Sequence, residues 1–101
     1  MTVVSTLNAA GDLVTITIQG RFDFGSHREF RDAYESHGSE IKNYTIDMSD
    51  TAYLDSSALG MLLLLRDFAG GVDASISIIH CNGEVKKIFA ISNFEQLFNI
   101  E

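Results

Sequence analysis

The sequence has no proline, a single cysteine and only 7 lysines and arginines among 101 residues. With no proline, 46% apolar content and no linker, repeat or low-complexity tract, residues 1–101 read as one compact domain. A chain of this length buries roughly two thirds of its surface on folding. The lone Cys81 excludes an internal disulfide. With only His80 beside it, it also lacks a second ligand at structural-zinc spacing, so it reads as an inert thiol near a strand end. The few basic residues, among them Arg21, Arg28, Arg31, Lys86 and Lys87, are dispersed, and 14 acidic side chains bring the net charge to -7. That balance argues against nucleic acid and anionic membrane as partners and favours a basic face on another protein.

Long hydrophobic runs are absent too. The longest, Leu59 to Leu65, is interrupted by Gly60 and ends at Arg66 and Asp67, well short of the roughly 20 residues of a membrane span. The start, Met1-Thr2-Val3-Val4, lacks the basic region, apolar stretch and cleavage site of an export signal, so a cytoplasmic location is expected.

Catalytic patterns are missing as well. Asp55-Ser56-Ser57-Ala58 lacks the glycines of a nucleophile elbow, and His27, His37 and His80 have no triad context. Gly60 and the Gly70-Gly71 pair make no Walker loop, since no basic residue follows at the right distance. Asp23, Asp47, Asp50 and Asp55 match no calcium-loop spacing. The expectation is a protein that is not an enzyme, with no cofactor and no metal.

What is present is a regular alternation of strand and helix patterns. Val3 to Leu7 and Leu13 to Ile18 read as an antiparallel strand pair joined by Asn8-Ala9-Ala10-Gly11-Asp12. Ser26 with Glu29 three residues on predicts a capped helix, carrying Phe30, Ala33 and Tyr34 and ending near His37-Gly38. Tyr44 to Met48 reads as a short buried strand, and a leucine-rich helix runs from about Ser57 or Ala58 to Phe68 or Ala69. Ala74 to Ile79 predicts another strand and Val85, Ile88 and Phe89 a third helix after Asn82-Gly83. Ile91 to Ile100 suggests a brief turn with a last strand or short helix. Strands alternating with crossover helices imply an α/β fold, a central mixed sheet with helices mainly on one face.

The most informative stretch is Tyr53-Leu54-Asp55-Ser56-Ser57-Ala58-Leu59-Gly60, which sets two hydroxyls where a strand gives way to the second helix. Ser56 alone fits a helix cap, worth roughly 1 kcal/mol. Yet Asp55, Ser56 and Ser57 form a run where one residue suffices, and the helix is greasier than a surface helix needs. Ala58, Met61, Leu62, Leu65 and Phe68 share one face, while Leu59, Leu63 and Leu64 fall on its flanks, either as further core or as a docking patch beside the serine. A phosphate on Ser56 would meet backbone N–H groups and the positive end of a helix dipole.

At these residues the chain resembles the STAS-domain family, and within it the bacterial anti-sigma-factor antagonists that work by partner switching. The resemblance rests on Gly20-Arg21-Phe22-Asp23, read as a turn, on Ile46-Asp47-Met48 leading to Leu54-Asp55-Ser56-Ser57-Ala58-Leu59-Gly60, and on Val85-Lys86-Lys87-Ile88-Phe89. It departs at Ala58, where many relatives have glycine, and at the C-terminal end, where many continue into a longer helix. The resemblance implies a STAS fold, Ser56 as phosphorylation site with Ser57 as the secondary candidate, and a partner surface of Asp23, Asp55, Ser56, Ser57, Leu59, Leu63 and Leu64. It also implies an anti-sigma factor and/or serine kinase as partner, and a serine/threonine phosphatase, which in some systems lies in a response regulator. A different expectation for the same domain is a scaffold or transport-accessory subunit that is never phosphorylated.

Overall fold

The computed structural model describes residues 2–101, so Met1, part of the N-terminal reading, lies outside the described residues. Strand β1 (Thr2–Leu7) pairs antiparallel with β2 (Leu13–Phe22). The turn between them is closed by Asn8, whose side-chain oxygen accepts from the N–H groups of Asp12 and Leu13 at 3.0 Å each. Gly11 supplies the positive φ (+77°) this turn requires.

From β2 onward the pairings are parallel, and helices make the crossovers, while a short turn joins β3 to β4. Helix α1 (His27–Glu35) leads to β3 (Asn43–Asp47), which pairs with β2; α2 (Ser56–Phe68) leads to β5 (Ser75–Ile79), which pairs with β3. Helix α3 (Gly83–Ile91) leads through a helical turn at Phe94–Gln96 to β6 (Asn99–Ile100), beside β5. The expected last element is therefore both a turn of helix and a strand. The sheet runs β1-β2-β3-β5-β6, with β4 (Thr51–Leu54) added to β2.

The period-two pattern sorts the faces. Val14, Ile16, Ile18, Tyr44, Ile46, Ile76 and Ile78 are buried, while Thr15, Thr17, Thr45, Asp47 and Ser77 between them are half-buried on the other face. The helices bury Phe30, Ala33 and Tyr34, then Ala58, Met61, Leu62 and Leu65, then Val85 and Phe89, all in one core with the sheet. Phe22, Phe30, Tyr34 and Phe68 form an aromatic chain with successive centroids 5.0, 5.6 and 5.1 Å apart. It locks the end of β2 to α1 and α2, the elements that carry the candidate site.

Three local expectations are corrected. Gly20-Arg21-Phe22 is the end of β2, not a turn, and Gly20 takes its positive φ (+85°) at the register shift where β4 joins. Ser26, at the N-terminal boundary of α1, makes no side-chain cap: its hydroxyl is buried and donates to the Arg21 carbonyl at 3.3 Å, and the capping side chain is Asp23, at the head of the helical turn Phe24–Ser26 that runs into α1. Glu29, expected as the capping-box partner, instead accepts from the Val3 N–H at 3.2 Å. A fourth point is an element the sequence did not reveal: β4 intervenes between β3 and α2, so the strand preceding Ser56 is Thr51–Leu54.

Candidate functional site

Two parallel strand ends lie side by side, and each is followed by an aspartate that caps a helical start. Arg21 pairs with Tyr53 and Phe22 with Leu54, and the Asp55 N–H donates to the Phe22 carbonyl at 3.3 Å. On β2, the Asp23 carboxylate accepts from the Gly25 N–H at 3.0 Å at the head of the helical turn Phe24–Ser26 that runs into α1. On β4, Asp55 accepts from the Ala58 N–H at 3.0 Å at the head of α2. Asp is favoured here because its oxygen satisfies an N–H that has no partner inside the helix.

Strand β4 is short, and it is pinned from both sides. The buried Thr51 hydroxyl donates to the Ile18 carbonyl at 2.7 Å, and the Asn82 side-chain amide donates to the Thr51 carbonyl at 3.2 Å. Asn82 also caps α3 by accepting from the Val85 N–H at 2.9 Å, so one residue ties α3 to β4. The strand ends are thereby held as a rigid platform.

The two serines after Asp55 are chemically distinct. Ser57, half-buried, donates its hydroxyl to the Asp55 carboxylate at 2.6 Å. Ser56 is the first residue of α2 and is exposed, and among the described residues its hydroxyl has no hydrogen-bond partner. The capping role that Ser56 fits in sequence belongs to Asp55, which leaves the Ser56 oxygen free. The bond from Ser57, joined by the Ala58 N–H, holds the Asp55 carboxyl below its ordinary range, against the opposing effect of partial burial. Asp55 thus already occupies one of the N–H groups at the head of α2 that an anion on Ser56 would meet.

Along α2, Ser56, Leu59 and Leu63 recur at i, i+3 and i+7 and share a stripe. Leu59 is half-buried against the core, while Leu63 is exposed. Leu64 turns away from that stripe and lines a cavity of about 410 Å³ between α1 and α2, with His27, Arg31, Tyr34, Asp67 and Phe68. Asp23, Asp55, Ser56, Ser57 and Leu63 lie on the platform or its stripe, and Leu64 does not.

Aromatic residues at the rim escaped the sequence reading. Phe24, directly after the cap Asp23, is 72% exposed and stacks on His27 with centroids 5.9 Å apart. Tyr53 is 44% exposed, with the Arg21 guanidinium 5.1 Å from its ring centre and the Arg21 Nε 3.8 Å from Asp23. The only signal for them was position, since each adjoins a capping aspartate or its strand.

Among the described residues no group of three or more His, Cys, Asp or Glu side chains could hold a metal ion, and no helix is long and apolar enough to cross a membrane. Cys81 is half-buried, and burial raises its thiol above the ordinary range, which disfavours the reactive thiolate.

Residues 5–99 match the family model described as Mlab, STAS domain. The chain is 58% identical over 100 residues to a STAS-domain containing protein of Pseudomonas aeruginosa strain UCBPP-PA14, covering 99% of each. It belongs to the STAS-domain family. In fold it is similar to a candidate anti-sigma factor antagonist from Thermotoga maritima, with a TM-score of 0.83 at 13% identity, covering 97% of this chain and 84% of that one. It is similar also to the phosphorylated form of the Bacillus cell fate determinant SpoIIAA, with a TM-score of 0.68 at 13% identity over 99% and 91% of the two chains. A sulfate transporter family protein from Wolinella succinogenes shares the fold too, with a TM-score of 0.72 at 12% identity over 93% and 80%.

Proposed function

We propose that this chain is an anti-sigma-factor antagonist of the partner-switching kind, acting in the cytoplasm, which binds a regulator when Ser56 is unmodified and releases it when Ser56 is phosphorylated. The observation that carries the reading is the pair of serines: Ser56 is exposed with an unengaged hydroxyl, while Ser57 is tied to Asp55. A modifying enzyme reaches the first without breaking the helix cap.

The platform of Asp23, Asp55, Ser56 and Ser57, with Leu59, Leu63 and the rim residues Phe24 and Tyr53, is the surface we assign to the regulator. Phosphate adds about -1.5 to -2 charges, and it would stand beside the ionised Asp55. An uncompensated charge buried at a closely packed interface costs roughly 2 to 5 kcal/mol, a weakening on the order of thirtyfold to several thousandfold. The start of α2 tolerates the anion, since helix N-termini favour negative charge, so the free protein keeps its fold. The partners we assign are an anti-sigma factor and/or serine kinase of the histidine-kinase-like ATPase fold, and a metal-dependent serine/threonine phosphatase, alone or within a response regulator.

Pull-downs from lysate with Ser56→Ala and Ser56→Asp baits test this. The alanine form should retain the regulator and the aspartate form should lose most of it. Equal capture by both contradicts the switch.

A second reading is supported by the likeness to a sulfate transporter family protein and by the exposed Leu64 on the α1 side of α2. It makes the domain a permanently bound scaffold or transport-accessory subunit. Stable co-purification with one partner, together with no phosphoserine in cells, would favour it.

A further inference from the structure

We propose that β1 is a self-association edge, through which two copies of this chain join antiparallel into one continuous sheet. Among the described residues β1 pairs with β2 alone, so its other side is an open edge. The Asn8 N–H donates to the Leu13 carbonyl across the β1–β2 pair, and the Val3 N–H points away from β2 to the Glu29 carboxylate. By alternation, the backbone groups of Val3, Ser5 and Leu7 face outward, and those of Val4 and Thr6 are spent on β2.

The strand itself favours a second copy as its occupant. Thr2-Val3-Val4-Ser5-Thr6-Leu7 carries no charge and no proline, two devices by which natural edges discourage pairing. Folded back on itself about Ser5, it sets Val3 against Leu7 of the second copy, Val4 against Thr6, and Ser5 against Ser5. Each of Val3, Ser5 and Leu7 then both donates and accepts across the seam. Val4 and Leu7, 47% and 45% exposed, lose water in the process. A two-fold interface needs this kind of self-complementarity, and the strand meets it with no like charges opposed.

Two features oppose the dimer and define how it is regulated. Glu29 occupies the Val3 N–H and must swing aside, so it acts as a guard on the edge. The net charge of -7 on each copy repels the other, and salt relieves that repulsion.

The test is sedimentation equilibrium on the whole chain over concentrations up to about 1 mM, in dilute buffer and in about 0.5 M salt. The average mass should climb from 11.1 kDa towards twice that value, and do so at lower concentration in salt. Glu29→Ala should lower the midpoint concentration severalfold. Ser5→Pro, which an edge strand accepts, and Thr6→Lys should each return the protein to monomer. In the unmutated protein the Ser5 and Leu7 amides should exchange severalfold more slowly at high concentration than at low, while Val4 and Thr6 stay protected at both. A monomer mass throughout, a dimer indifferent to both substitutions, or concentration-independent exchange at Ser5 and Leu7 would overturn the proposal.

Discussion

The Ser57 hydroxyl and the Asp55 carboxylate lie 2.6 Å apart, and this bond separates the functions of two adjacent serines. Ser57→Ala should leave phosphorylation at Ser56 intact in cells, while Ser56→Ala should abolish it without transfer to Ser57. Phosphate-affinity electrophoresis of the two variants checks this directly.

Asp55 is the cap of a 13-residue helix, and replacing a capping residue with alanine costs about 1 kcal/mol. For a domain of about 100 residues that lowers the Tm by about 4 to 8 °C. Asp55→Asn, which keeps an accepting oxygen, should lose only a fraction of this. Thermal unfolding by circular dichroism measures both.

The same cap has a pH signature. Hydrogen bonds from Ser57 and Ala58 lower the Asp55 carboxyl in the folded state, so its stabilisation is full above the unfolded value of about 3.9 and is lost as pH falls through the depressed folded value. The Tm gap between the unmutated protein and Asp55→Asn should therefore be steady at neutral pH and narrow below about pH 4. A gap that widens on acidification would contradict the assignment.

Neighbouring leucines of α2 should behave in opposite ways. Leu62 is fully buried, and Leu62→Ala should destabilise the domain by about 2 to 5 kcal/mol. Leu63 is exposed, and Leu63→Ala should leave stability within about 0.5 kcal/mol while weakening capture of the regulator. Phe24→Ala should likewise spare stability yet cost more than about 1 kcal/mol of binding, as aromatic anchors do. Urea denaturation and titration of the captured regulator separate the two effects.

The longer elements were legible because their periods are strong. The alternation of Leu13 to Ile18 and of Ala74 to Ile79, and the 3.6-residue recurrence of Phe30, Ala33 and Tyr34, carry the burial pattern that the structure shows. Strand β4 was not legible. Thr51-Ala52-Tyr53-Leu54 alternates with neither period, and it is a strand only because it lies against Gly20–Phe22. Ser26 fits a cap in sequence, but the Arg21 carbonyl draws its hydroxyl inward and a short helical turn capped by Asp23 precedes α1, which no sequence period reveals. Ser56 and Ser57 could be ranked in sequence only by resemblance; which hydroxyl is engaged depends on the turn at Asp55. The exposure of Phe24 and Tyr53 was not legible because an aromatic residue defaults to the core until neighbours are seen to leave it outside.

The central claim is tested most directly by phosphopeptide mass spectrometry on protein recovered from its own cells, split into regulator-bound and free fractions. Phosphate should appear on Ser56 in the free fraction and be nearly absent from the bound one. Equal Ser56 occupancy in both fractions, or phosphate confined to Ser57, would contradict the account.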